Sequence, residues 1–160
     1  MNILNNLNLA KEAAIEAGKI LTSSKANLNI EKTSDGKDIK LKADVEAEQI
    51  IKNHISNKSN LPMLGEETGK SVEDLGRSFW VIDPLDGTAN YSRGIPICCV
   101  SIALIHDMQP VVGVIYDFNN DDLYEGSIDS SAFLNGDTIE VNNNLDEEES
   151  ILLTGLPLLT

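Results

Sequence analysis

Apolar side chains recur every three or four positions early in the chain, at Leu7, Ala10, Ala14, Gly18 and Leu21, with Lys11, Glu12, Glu16 and Lys19 off that stripe. The period matches an α-helix and predicts an amphipathic one ending near Thr22-Ser23-Ser24. A short extended piece around residues 29–32, a turn at Ser34-Asp35-Gly36 and a second extended piece over residues 39–42 follow. Ala47, Ile51 and Ile55, with Ile50 alongside, then predict a second helix. Asp44 stands where its cap belongs, and Glu46 and Glu48 lie in the first turn, where the macrodipole favours negative charge.

From Met63 the pattern changes to short β segments: 63–64, 79–82, 98–105, 111–116, 123–125 and 139–141. The segments at 101–105 and 111–115, joined through Asp107-Met108-Gln109-Pro110, read as a hairpin, and Asn119-Asn120-Asp121 and Asn135-Gly136 mark further turns. Two helices followed by consecutive strands predict an α+β fold, an antiparallel sheet with two long N-terminal helices on one face. No internal repeat is visible. Residues 142–150 are polar and acidic and read as a connector. Residues 151–160 are apolar enough to need burial on both faces. The expected organisation is therefore an N-terminal α+β domain over 1–150, and in 151–160 the first strand of a C-terminal domain that is otherwise absent.

At 160 residues the chain fits one ordinary domain. A net charge of −14 argues against a nucleic acid polymer or an anionic membrane as partner. Cys98 and Cys99 are adjacent within an apolar run, so strand geometry points them to opposite faces and neither is expected to be bridged. The first residues carry no basic region ahead of an apolar stretch. The longest apolar run, 95–105, is interrupted by Pro96 and Ser101 and falls short of the ~18 residues of a membrane span. A soluble, cytoplasmic protein is expected.

The chemistry concentrates in Phe79-Trp80-Val81-Ile82-Asp83-Pro84-Leu85-Asp86-Gly87-Thr88-Ala89-Asn90. An apolar strand leads into two carboxylates and then into a helix start. Carboxylate oxygens suit a hard divalent cation such as Mg2+, and backbone N–H groups at a helix start suit phosphate. Two carboxylates ~4 Å apart repel by about 4 kcal/mol at an effective dielectric of 20, a conflict that a cation removes. Gly65-Glu66-Glu67 offers a third carboxylate. By itself Asp-Pro-Leu-Asp-Gly is equally a good turn sequence. Elsewhere the plainer reading prevails: Glu67 as an exposed residue, Asp44 as a helix cap, His54 and His106 without catalytic partners, and Asp121, Asp122 and the acidic run ending at Glu149 as solvated surface.

The run from Trp80 to Tyr91 resembles the signature of the inositol monophosphatase family, Trp-x-Ile-Asp-Pro-x-Asp-Gly-Thr-x-Asn followed by an aromatic residue. Gly65-Glu66-Glu67, Asp44 ahead of Glu48, Gly94-Ile95-Pro96, Val100-Ser101-Ile102-Ala103 and Phe133-Leu134-Asn135-Gly136 match further family motifs in order and spacing. Tyr91 replaces the more usual Phe, a change expected to affect packing only. The resemblance implies that Glu66, Asp83 and the Leu85 carbonyl bind one magnesium, and that Asp83 bridges to a second that Asp86 also binds. It implies that a hydrogen-bonded pair of Asp44 and Thr88, with Glu66, orients and deprotonates the attacking water, while Gly87 and Thr88 offer N–H groups to phosphate.

The implied activity is magnesium-dependent hydrolysis of a small phosphate monoester. Substrates in question are inositol phosphate, histidinol phosphate, a sugar bisphosphate or a 3′-phosphate nucleotide, with Gly94-Ile95-Pro96 leaning toward the inositol branch. Family members also carry a Trp-Asp motif in a C-terminal half. The one tryptophan here, Trp80, is followed by Val81. Full activity is therefore expected to need that missing half, and the alternative is a non-catalytic, truncated or split metal-binding interaction module that pairs with a complementary half or with another copy of itself.

Overall fold

The computed structural model describes residues 1–24, 30–32 and 39–141. The predicted turn at 34–36, the acidic connector and the apolar segment 151–160 lie outside the described residues. Helix α1 spans Ile3–Ser24 and opens with the Asn2 side chain accepting the Asn5 N–H at 3.0 Å, an N-cap. Strands β1 (Ile30–Lys32) and β2 (Ile39–Leu41) pair antiparallel, Ile30 opposite Leu41. Helix α2 (Lys42–Ser56) follows β2 directly. Its start at Lys42 puts Asp44 inside the first turn, where the carboxylate is buried, and not at the cap position that its residue type suggested.

The remaining strands are β3 (Met63–Gly65), β4 (Gly69–Lys70), β5 (Ser78–Asp86), β6 (Cys99–His106), β7 (Gln109–Asp117), β8 (Asp122–Ser127), β9 (Ser130–Leu134) and β10 (Asp137–Ile139), with a short helix α3 (Thr88–Tyr91) between β5 and β6. They form one eight-stranded sheet in the order β10-β9-β8-β7-β6-β5-β3-β4. All neighbours are antiparallel except β3 and β5, which run parallel with Gly65 opposite Ile82. The fold is the expected α+β, and its single parallel pair departs from a purely antiparallel sheet. That exception brings the residue after Gly65 beside the end of β5.

Helix α1 lies over β6, β7 and β8, and α2 packs on α1 and β5. Along β6 the side chains alternate, so Val100, Ile102 and Leu104 meet Ala10, Ala14, Ala17 and Leu21 of α1 in one buried core. Gly18 marks a close approach of α1 to the sheet: a Cβ there would stand 2.5 Å from the Tyr116 ring. The hairpin between β6 and β7 is tighter than the sequence suggested. His106 faces Gln109, so only Asp107 and Met108 form the turn, both with positive φ (48° and 61°), as a twisted two-residue hairpin requires. Pro110 falls inside β7, where the register shifts.

Candidate metal and phosphate site

Asp83 and Asp86 are three residues apart, and in an unbroken strand that spacing would turn them to opposite faces. The β5–β6 register shows otherwise. Asp83 is opposite Ser101 and Asp86 opposite Cys99, two β6 residues that share a face, because Pro84 and Leu85 together span the place of Val100. This bulge puts both carboxylates on the same side of the sheet, away from the buried Val100 and Ile102. Leu85 is itself buried, so the extra residue anchors the bulge.

The third carboxylate arrives by way of the parallel strand. Glu66 follows β3 and donates its N–H to the Ile82 carbonyl at 3.1 Å. Its carboxyl hydrogen-bonds that of Asp83. Loss of solvent at that end of the side chain, then the Asp83 bond and charge, with Glu67 and Asp44 adding to the negative field, raise Glu66 from 4.5 to about 7. Asp83 is likewise raised, first by burial and then by the charges of Asp86 and Glu67, against the opposing bonds from Glu66 and from the Leu85 N–H at 3.1 Å. A proton shared between two carboxyls relieves like-charge repulsion, and a divalent cation relieves the same conflict.

Among the described residues no three acidic, histidine or cysteine side chains already stand in a metal-ligand arrangement. The fit to a cation rests on the donor chemistry: two carboxyls in mutual contact, Asp86 close enough to perturb Asp83, and Asp44 and Glu67 close enough to perturb Glu66.

Gly87 precedes α3 with φ of 93°, and a Cβ there would lie 2.7 Å from the Ile97 carbonyl oxygen, so the position accepts only glycine. Asn90 braces the same loop by donating to that carbonyl at 2.8 Å. The Thr88 hydroxyl donates to the Leu85 carbonyl at 3.0 Å. A hydroxyl has one hydrogen, so in this arrangement it goes to Leu85 and not to Asp44, the partner that the resemblance implied. The Leu85 carbonyl thereby sits within reach of Thr88, on the bulge between the two acids.

Several other residues have roles that the sequence did not reveal. Glu67 is half-buried and not simply exposed, and its N–H is bonded to Glu48. His54 stands 2.7 Å from Glu16 and 3.2 Å from Glu12, tying α2 to α1, while His106 meets the Ser78 hydroxyl at 2.7 Å across β5 and β6. Asp121 accepts the Tyr116 hydroxyl and Asp122 the Asn135 amide, which makes both of them turn supports. Tyr91 does more than pack. Its ring meets Phe118 edge-on at 6.0 Å and its hydroxyl donates to the Leu21 carbonyl, fastening the end of α1 to α3. Cys98 and Cys99 are unbridged. Among the described residues no helix is long and apolar enough to cross a membrane.

A model of the inositol monophosphatase family matches residues 5–159. "Inositol monophosphatase 3" of Solanum lycopersicum is 34% identical over 152 residues, covering 92% of this chain and 57% of that protein. "Fructose-1,6-bisphosphatase/inositol-1-monophosphatase" of Aquifex aeolicus is 35% identical over 161 residues, covering 98% of this chain and 60% of that protein. The solved structure of extragenic suppressor protein suhB from Bartonella henselae superposes with a TM-score of 0.80 at 34% identity, covering 88% of this chain and 55% of that one. The chain thus spans little more than half the length of these three proteins.

Proposed function

The chain belongs to the inositol monophosphatase family, and from that premise we propose that it supplies the metal-binding and phosphate-binding side of a magnesium-dependent phosphomonoesterase acting on a small phosphate ester. The observation that carries the reading is the convergence of Glu66, Asp83 and Asp86 beside the glycine turn at Gly87. Glu66, Asp83, Asp86 and the Leu85 carbonyl would hold magnesium, which when bound neutralises the clustered charge and activates water toward phosphorus. Gly87 and Thr88 open a turn whose first N–H groups have no acceptor within the helix, and these would receive phosphate oxygens. Thr88 and Glu66 would orient the attacking water, and the Glu66 carboxylate would accept its proton. Asp44 would support that role through the field it exerts on Glu66.

The names of the relatives put inositol phosphates and fructose 1,6-bisphosphate first in a substrate panel, followed by histidinol phosphate and a 3′-phosphate nucleotide. Unbridged cysteines suit a reducing compartment such as the cytoplasm. Phosphate release from that panel, measured with magnesium and with a chelator, tests the proposal. Asp83→Asn is expected to abolish the magnesium-dependent part, and release that is indifferent to magnesium or to Asp83→Asn would refute the site. A second reading, a metal-binding interaction module without turnover, is favoured by the apolar side chains exposed on the sheet face away from the helices, Ile115, Tyr124 and Ile139 among them. It predicts concentration-dependent association, with a second copy or a complementary half, and no phosphate release.

A further inference from the structure

We propose that Glu48 is a positioning residue for metal binding, its buried carboxylate holding the Gly65–Thr68 turn so that Glu66 stands beside Asp83. The inference rests on the reading of Glu66 and Asp83 as metal ligands. Glu48 lies on α2 with none of its surface exposed. One carboxylate oxygen accepts the Glu67 N–H at 2.7 Å, and the other accepts the Thr68 hydroxyl at 2.5 Å. Lys52, one helical turn further on, stands 2.9 Å from the oxygen that binds Thr68 and also bonds the Thr68 hydroxyl. Three groups therefore compensate the buried charge, two of them from the turn that carries Glu66.

The approach is as close as the backbone permits. A Cβ added to Gly65 would stand 2.4 Å from one Glu48 oxygen and 2.5 Å from its carboxyl carbon. On its other side the turn is pinned to the sheet by the Glu66 N–H on the Ile82 carbonyl. Glu66 is thus held between a bond from its own N–H to β5 and a bond from the next N–H to α2, and from that fixed backbone its carboxyl meets that of Asp83. A well-packed apolar side chain would serve the core at least as well as a buried ion pair, so stability alone is a weak reason for a carboxylate here. Fixing the backbone of a ligand-bearing turn is a sufficient one, since groups that orient metal ligands commonly govern affinity.

The test uses Mg2+ alone as the probe, titrated into the full chain by calorimetry, with circular dichroism of each metal-free variant to normalise to the folded fraction. Thr68→Val removes the exposed hydroxyl that binds Glu48, and Thr68→Ser keeps it. Thr68→Val and Glu48→Gln are expected to weaken Mg2+ binding about ten-fold, with Thr68→Ser close to the original chain. Glu66→Gln, the ligand control, is expected to lose binding. If Glu66→Gln loses Mg2+ while Thr68→Val and Glu48→Gln keep the original affinity, the positioning role is wrong and the metal reading stands. If the original chain and Glu66→Gln behave alike toward Mg2+, the metal reading fails and the inference falls with it.

Discussion

The two faces of the eight-stranded sheet share one backbone and differ in almost everything else. Toward α1 and α2 stand Trp80, Ile82, Val100, Ile102, Leu104, Val112, Val114 and Tyr116, all buried. The intervening residues face away: Ser101, Ala103 and Ile105 are half-buried, and Gly113, Ile115 and Tyr124 are exposed. Asp83 and Asp86 belong to this second face, at its edge beside α3. Strand alternation thus separates two tasks that compete for the same residues elsewhere. The helix-covered face supplies burial, and the open face can afford like charges side by side, because its residues contribute little to the core.

Truncating one residue on each face should separate the two most clearly. Ile102→Ala is expected to cost about 2–5 kcal/mol in urea unfolding, against about 0.5 kcal/mol or less for Ile115→Ala on the exposed side. Equal losses would mean that the second face is as much a core as the first. Tyr91→Phe removes the hydroxyl that ties α3 to the end of α1 and should cost about 1 kcal/mol, with no change in the rest of the core.

A smaller effect is expected from pH. Glu66 is raised to about 7 in the fold against 4.5 for the unconstrained group, so the metal-free folded state binds the proton more tightly than the unfolded one. Its contribution to stability is full below about 4.5 and is lost as pH rises through about 7. Unfolding of the metal-free chain at a series of pH values should show that decline, and Glu66→Gln should flatten it. The least perturbing probe is thiol labelling. Burial first, then Asp86 and Asp83, push Cys99 up to about 12, and Cys98 is buried. Iodoacetamide adducts seen by mass spectrometry should therefore form only after unfolding.

The helices were legible because a 3.6-residue stripe survives any later detail of packing. So was most of the sheet, through β-rich segments bounded by Asn, Asp and Gly. Strand β9 escaped because Ser130, Ser131 and Ala132 are exposed on both sides, leaving no alternation to read. Strand β4 has only two residues and exists by pairing with β3. Pro110 misled because proline reads as a turn, while the β6–β7 bulge accommodates it in the strand. At the site, Asp83 and Asp86 announced themselves by adjacency, but nothing local joins Glu66 to them, since that contact depends on β3 running parallel to β5. Glu48 read as one more first-turn acid, because its importance lies in the missing Cβ of Gly65, seventeen residues away in the chain.

The bulge at Pro84-Leu85 has a genetic corollary. Where two residues stand opposite Val100, a peptide oxygen escapes the ladder, and Leu85 delivers it between the acids without using any side chain. Alanine scanning is blind to such an atom, since every amino acid carries the same carbonyl. Deleting one residue of the pair would leave Asp83 and Asp86 two apart and still on a common side, while the oxygen would return to the ladder together with the loss of a buried side chain. At this spot the reading frame of the strand, more than the identity of its letters, is what a lineage must preserve.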